Sequence, residues 1–182
     1  MVHVFLADGF EETEAIAPID ILRRAELEVA TVAINAKNKI VTSSHNIKIL
    51  CDISETEWDD VTTDMIVLPG GLAGVENLLK SDTVKKAVNH CAKNGKKIGA
   101  ICAAPMILGT LELCSSVKMT CYPGFEKHLA GYIPTEDSVI TDKNITTAKG
   151  AGVSLEFGLE LVRVLKGEAA ADEIKRKMQF NQ

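Results

Sequence analysis

Short apolar runs alternate with stretches of helical periodicity along nearly the whole of this 182-residue chain, and few architectures accept that pattern. Residues 2–7, 29–34, 65–68 and 97–101 have the length and composition of buried strands. Helical spacing runs from Glu14 to Ala25, from a Ser81 cap through Val84, Val88 and Cys91 to the Asn94-Gly95 stop, and onward from Ala103 to about Leu113. Residues 40–51 read as a small hairpin-like excursion and 117–121 as another strand. Residues 139–141 and 145–147 flank an Asp142-Lys143-Asn144 turn. Gly150-Ala151-Gly152 opens a helix over about 154–165, and a last helix covers 170–178. Such alternation predicts an α/β fold, a mainly parallel sheet with helices on both faces. Without a linker, repeat or low-complexity segment, the expectation is a single domain over residues 1–182.

Within that pattern, Cys102 sits where the strand Lys97–Ile101 runs straight into a helix opening at Ala103-Ala104-Pro105. Pro105 suits the first turn of a helix, where a missing N–H costs nothing. A sharp strand-to-helix corner lifts its side chain clear of the sheet and aims the first free amides of the helix at it. The expected effect is a lowered thiol pKa. A small buried hydrophobe is the competing reading, and the corner position favours the reactive thiol.

The net charge of −5 and pI near 5.4 argue against nucleic acid or an anionic membrane as a partner. The N-terminus lacks the basic start of a signal peptide and no apolar run spans a bilayer, so a cytoplasmic protein is expected. The cysteines at 51, 91, 102, 114 and 121 form no Cys-x-x-Cys pair and no zinc-ligand spacing. Neither a disulfide framework nor a metal is expected, and a reducing compartment is the natural reading. Asn144-Ile145-Thr146 matches a glycosylation acceptor, a chance match without a secretory signal.

Gly70-Gly71-Leu72-Ala73-Gly74 follows a strand, but no Gly-Lys-Ser/Thr comes after it. Gly150-x-Gly152 has Leu155 where a third glycine belongs, so nucleotide binding is not supported. Gly71 reads better as an exposed amide that, with the Ala103 N–H, forms an oxyanion hole. Of the four histidines, His3 lies in the first strand, His45 in the excursion and His90 on a helix. His128 alone is placed near the site, so a Cys/His pair is poorly supported. Glu11 and Glu12 fit ordinary dipole complements in the first turn of a helix. Glu14, followed by Ala15, Ile16 and Ala17, is expected to turn inward, and a carboxyl buried beside a thiol would hold its proton.

These residues resemble the ThiJ/PfpI superfamily, in particular the clade of the Parkinson-disease-associated protein deglycase and its bacterial relatives. The matching segments run from Asp8 through Glu11-Glu12-Thr13-Glu14 to Asp20 with Arg23-Arg24-Ala25, then Val67-Leu68-Pro69-Gly70-Gly71, Ala100-Ile101-Cys102-Ala103-Ala104-Pro105 and Lys149-Gly150-Ala151-Gly152 to Phe157. The resemblance implies a flavodoxin-like three-layer α/β/α sandwich that forms a homodimer. It implies Cys102 as the reactive cysteine, Glu14 as its protonated partner, and Gly71 and Ala103 as the amides facing the sulfur. It further implies cofactor-free chemistry on 2-oxoaldehydes such as methylglyoxal, or on their adducts with protein side chains. A redox sensor or chaperone that uses the same two residues is the alternative. Tyr122, before Pro123, stands where the family's best-studied branch has histidine, and tyrosine is a poor base near neutral pH. Ala103 follows the thiol where peptidase relatives have histidine, which counts against a protease.

Overall fold

The computed structural model describes residues 1–180; the expected domain runs on over residues 181 and 182, which lie outside the described residues. In chain order the elements are β1 (Val2–Leu6), α1 (Glu12–Arg24), β2 (Val29–Ala33), β3 (Ile40–Thr42), β4 (Lys48–Leu50), β5 (Ile53–Ser54) and β6 (Met65–Leu68). After them come α2 (Leu72–Lys80), α3 (Asp82–Lys93), β7 (Lys97–Ile101), α4 (Pro105–Thr110), β8 (Lys118–Met119) and β9 (Ile133–Pro134). The chain then closes with β10 (Val139–Asp142), β11 (Ile145–Ala148), α5 (Ser154–Lys166) and α6 (Glu168–Lys177).

Seven strands form the main sheet in the order β10-β11-β7-β6-β1-β2-β5. Every neighbouring pair is parallel except β10–β11, which is antiparallel. Strand side chains alternate between two cores, as the period of two requires. Val2, Val4 and Leu6 of β1 and Met65 and Val67 of β6 pack with α1, α5 and α6. Phe5, Ile66 and Leu68 pack with α2, α3 and α4 on the other face. That is the flavodoxin-like sandwich the sequence reading expects. The close pass of α1 and α5 runs over Gly158, where a Cβ would lie 2.8 Å from Ile21 Cδ1 and 3.1 Å from Pro18 Cα. No helix of the described residues is long and apolar enough to cross a membrane.

The excursion is the antiparallel pair β3–β4. One helix that the sequence reading left unassigned appears, and one expected strand is shorter. The glycine-rich stretch after β6 enters a helix at once: α2 buries Gly74, Val75 and Leu78, and a Cβ at Gly74 would meet Phe10 N at 2.6 Å. The glycine there permits a close helix–loop approach, which outweighs its poor helix propensity. The strand expected over 117–121 shrinks to β8, which pairs with β9 outside the main sheet.

The order of strands also sets where a site can lie. From β1 the chain builds outward through β2 to β5, then returns to lay β6, β7 and β11 on the other side. The connections after β1 and β6 therefore leave in opposite senses and open a crevice at the carboxyl edge. Ala7–Glu14, Pro69–Gly71 and the end of β7 all converge there.

Candidate functional site

Cys102 is the first residue after β7, and its φ of 64° lies in the left-handed region. That conformation costs a non-glycine residue about 1–2 kcal/mol, and backbone bonds on both sides hold it. The Cys102 N–H donates to Ala148 O at the end of β11, 2.9 Å, and its carbonyl accepts the Tyr122 N–H at 2.9 Å. The turn then closes through Ala104 N–H to Ile101 O, 3.0 Å, and α4 begins at Pro105. The side chain emerges between the two cores and packs partly on each. Of the five free cysteines, Cys102 alone is not buried.

Glu14 reaches the same point from the first turn of α1. Its N–H donates to the Glu11 carboxylate that caps the helix, 2.7 Å, and the Glu11 N–H is tied to Gly70 O at 2.9 Å. The Glu14 side chain is therefore delivered into the crevice rather than to solvent, and the residue is only 1% exposed. Its Oε2 accepts the Gly70 N–H at 2.9 Å. The Ala151 N–H also points at the carboxylate, and the Cys102 side chain is hydrogen-bonded to it. The amides of Ala103 and Gly71 hydrogen-bond the sulfur. The structure thus brings Cys102, Glu14, Gly71 and Ala103 to one place.

Gly70 and Gly71 make that approach possible. A Cβ on Gly70 would stand within contact distance of Glu14 Oε2, 2.7 Å from Cys102 Cβ and 3.1 Å from its sulfur. Gly71 has φ 82°, and a Cβ there would meet Glu11 N at 2.7 Å. The Gly70 and Ala151 amides that hold Glu14 were not singled out as site donors from sequence. The glycine pair directly after β6 was the signal available for Gly70; nothing local marks Ala151, which arrives from 137 residues further on by way of β11.

Burial dominates the electrostatics. It raises the Glu14 carboxyl from 4.5 to about 7, with the charge of Glu11 adding to it. The Cys102 hydrogen bond and the Gly70 and Ala151 amides oppose the rise. The depressed thiol pKa expected from the helix amides is not found. Burial first, then the Glu14 charge and hydrogen bond, push the sulfur up to about 12 against the Ala103 and Gly71 amides. Two of the three causes that raise the sulfur's pKa vanish once Glu14 carries a proton. The two groups therefore titrate as a pair that shares one proton over a wide pH range. The unit is a thiol–carboxyl dyad with its base poised near neutrality, not a free-standing thiolate.

The remaining expected residues fall farther out. Tyr122 is 50% exposed, and its ring lies beside Gly150 at the mouth of the crevice. His128 is exposed on a short 3₁₀ turn, where its ring leans on Phe125 with centroids 5.8 Å apart, and Phe125 in turn meets Tyr122 edge-on at 6.2 Å. Two aromatic rings thus separate it along that chain from the mouth of the crevice. Among the described residues, Glu11, Glu12 and His45 are a group whose ligand atoms lie within 4.8 Å of one another. Their atoms are already engaged: Glu11 caps α1, and Glu12 pairs with His45 Nδ1 at 2.8 Å.

The sequence model described as the DJ-1/PfpI family matches residues 1–164. The chain is 38% identical over 178 residues to the Parkinson disease protein 7 homolog of Danio rerio, covering 94% of this chain and 93% of that protein. It is 36% identical over 167 residues to Protein DJ-1 homolog B of Arabidopsis thaliana, covering 91% of this chain. It spans 38% of the length of that plant protein, and 45% of the length of the plant's homolog A. It is 27% identical over 170 residues to a Caenorhabditis elegans protein named glutathione-independent glyoxalase DJR-1.2, covering 92% and 89% of the two chains. Among solved structures it superposes on Toxoplasma gondii DJ-1, described as oxidized, with TM-score 0.94 at 31% identity over 100% and 98% of the two chains. A DJ-1 superfamily protein from Salmonella typhimurium gives TM-score 0.93 at 33% identity, again over 100% and 98%.

Proposed function

The chain belongs to the DJ-1/PfpI family, and from that premise we propose that it is a cofactor-free enzyme acting on 2-oxoaldehydes, or on the adducts they form with protein side chains. The observation that carries this reading is the buried Glu14 carboxyl, raised to about 7 and hydrogen-bonded to the half-buried Cys102 thiol. The relative named a glutathione-independent glyoxalase supports the same substrate class.

The chemistry follows from the dyad. A base near neutrality is well matched to taking the thiol proton as sulfur attacks. An S–C bond forms at the aldehyde carbon, and the carbonyl electron pair moves to oxygen. The Ala103 and Gly71 amides, which hydrogen-bond the sulfur, are the donors available to the displaced charge. Glu14 passes the thiol proton on to that aldehyde oxygen, which completes the neutral hemithioacetal and frees the carboxylate. It then takes the proton from the hemithioacetal carbon and returns it to the neighbouring carbon, while the hydroxyl proton passes to the neighbouring oxygen. That isomerisation turns the ketone–hemithioacetal into a 2-hydroxy thioester without any outside oxidant. Water cleaves the thioester, releasing the 2-hydroxy acid and the thiol. With an adduct as substrate, the protein amine or thiol is the group expelled from the former aldehyde carbon, with a proton, as the Cys102 sulfur bonds to it, and the same isomerisation and hydrolysis follow.

A redox-sensing role is the second reading, favoured by Cys102 being the one cysteine that is not buried. Lactate production from methylglyoxal by wild type and Cys102→Ala separates the two. The enzyme reading expects a loss of at least about 1000-fold in the variant. No Cys102-dependent lactate, together with a gain of two oxygens on Cys102 under mild peroxide, would overturn it in favour of the sensor.

A further inference from the structure

A groove of about 390 Å³ opens beside the dyad, between Tyr122-Pro123 on one wall and the turn from Gly150 to Val153 on the other. Gly150 is the residue that links the two. A Cβ on Gly150 would lie 3.4 Å from Tyr122 Cδ2 and 3.8 Å from Glu14 Oε1, so the ring edge and the carboxylate both come close to a residue with no side chain. The Tyr122 backbone is fixed to the nucleophile itself by its N–H to Cys102 O, 2.9 Å. Its ring makes one edge-on contact, with Phe125, and is 50% exposed. Lys149 is the groove's only charged lining residue among the described residues, and its ammonium is directed to the Glu136 carbonyl at 2.9 Å. Among the described residues, no carboxylate belongs to the groove's lining.

We propose that this groove is the subsite for the substituent of the 2-oxoaldehyde, and that it takes an aromatic or bulky apolar group, with Tyr122 setting the preference. The inference rests on the proposed function for the reacting end of the substrate. When the aldehyde carbon sits at the Cys102 sulfur, the other carbonyl and its substituent extend toward Gly150. A methyl group leaves the tyrosine face in water. An aryl ring covers it, in an offset or edge-to-face contact that an aromatic partner favours. The wall from Gly150 to Val153 carries few polar atoms that such a ring would leave unpaired. A cationic substituent finds no counter-charge there.

The test uses two haloketones that report on the subsite whether or not the protein turns over an aldehyde. Cys102 is alkylated with 2-bromoacetophenone and with bromoacetone, and each rate is divided by the rate with free N-acetylcysteine. Sulfur displaces bromide in both, so only the substituent differs. The normalised preference for the aryl reagent should be about tenfold in wild type, fall to near unity in Tyr122→Ala, and persist in Tyr122→Phe. A wild-type ratio near unity, or one that Tyr122→Ala leaves in place, would overturn the subsite. Turnover of phenylglyoxal and methylglyoxal, measured in parallel, keeps the two proposals apart. No turnover with the labelling preference intact removes the enzyme and leaves the subsite. Turnover with no labelling preference does the reverse.

Discussion

Replacing Glu14 with glutamine should remove a pH dependence from the stability of the fold. The carboxyl is raised from 4.5 to about 7, so between those values the folded chain keeps a proton that the unfolded chain has released. A group shifted upward contributes stability that is fully present below pH 4.5 and is lost as pH rises through about 7. Each unit of pKa difference corresponds to about 1.36 kcal/mol, so the loss comes to about 3 kcal/mol. For a chain of this length that is about 6–12 °C in Tm. Glutamine has nearly the same shape, still accepts the Gly70 N–H, and cannot ionise. The difference in unfolding free energy between wild type and Glu14→Gln should therefore swing by about 3 kcal/mol in favour of the variant between pH 4.5 and pH 8.5. Other titrating groups cancel in that difference because both proteins carry them. Denaturant midpoints at four or five pH values supply the measurement. The Cys102 hydrogen bond lowers the Glu14 pKa, so the swing should widen in a Cys102→Ala background. A difference that stays constant across the range would refute the assignment of Glu14 as a buried acid that holds its proton.

Two further substitutions test how the site is assembled. Gly70 does not occupy the left-handed region, so Gly70→Ala strains no backbone, and its methyl falls directly between Glu14 and Cys102. Overpacking there should cost about 1–3 kcal/mol, and displacement of the dyad should reduce methylglyoxal turnover by about 100-fold; near wild-type kcat and Tm would contradict the close approach. At the corner itself, Cys102→Gly should be more stable than Cys102→Ala by about 1 kcal/mol, because glycine alone adopts a φ of 64° without penalty. Equal chemical denaturation midpoints for the two variants would indicate that the corner is not strained.

The two cores and the parallel sheet were legible because burial leaves a local record. Val2, Val4 and Leu6 against Phe5, or Val84, Val88 and Cys91 along α3, alternate with the periods of strand and helix whatever their partners are. The corner at Cys102 was legible for a similar reason: an apolar run meeting Pro105 leaves little room for anything but a strand-to-helix turn. Residues 72–80 were given no element from sequence, and glycine at 74 is a poor helix former. The contact that rewards it, with Phe10, comes from a segment 64 residues earlier. The shortened β8 has the same origin, since its pairing is decided by β9 and not by its own residues.

The amino-acid order determined which residue types were available at the carboxyl edge of the sheet: a thiol at a bend, a carboxyl in a first helical turn, and two glycines after a strand. Their protonation was settled only by folding. A helix N-terminus taken alone lowers a thiol pKa, but chain crossing at β1 and β6 places Glu14 against Cys102 and takes both away from water. Desolvation and like charge at short range then outweigh the two amides that face the sulfur. Local chemistry can be read from neighbours in sequence, but the energy of a charge depends on everything that surrounds it in space.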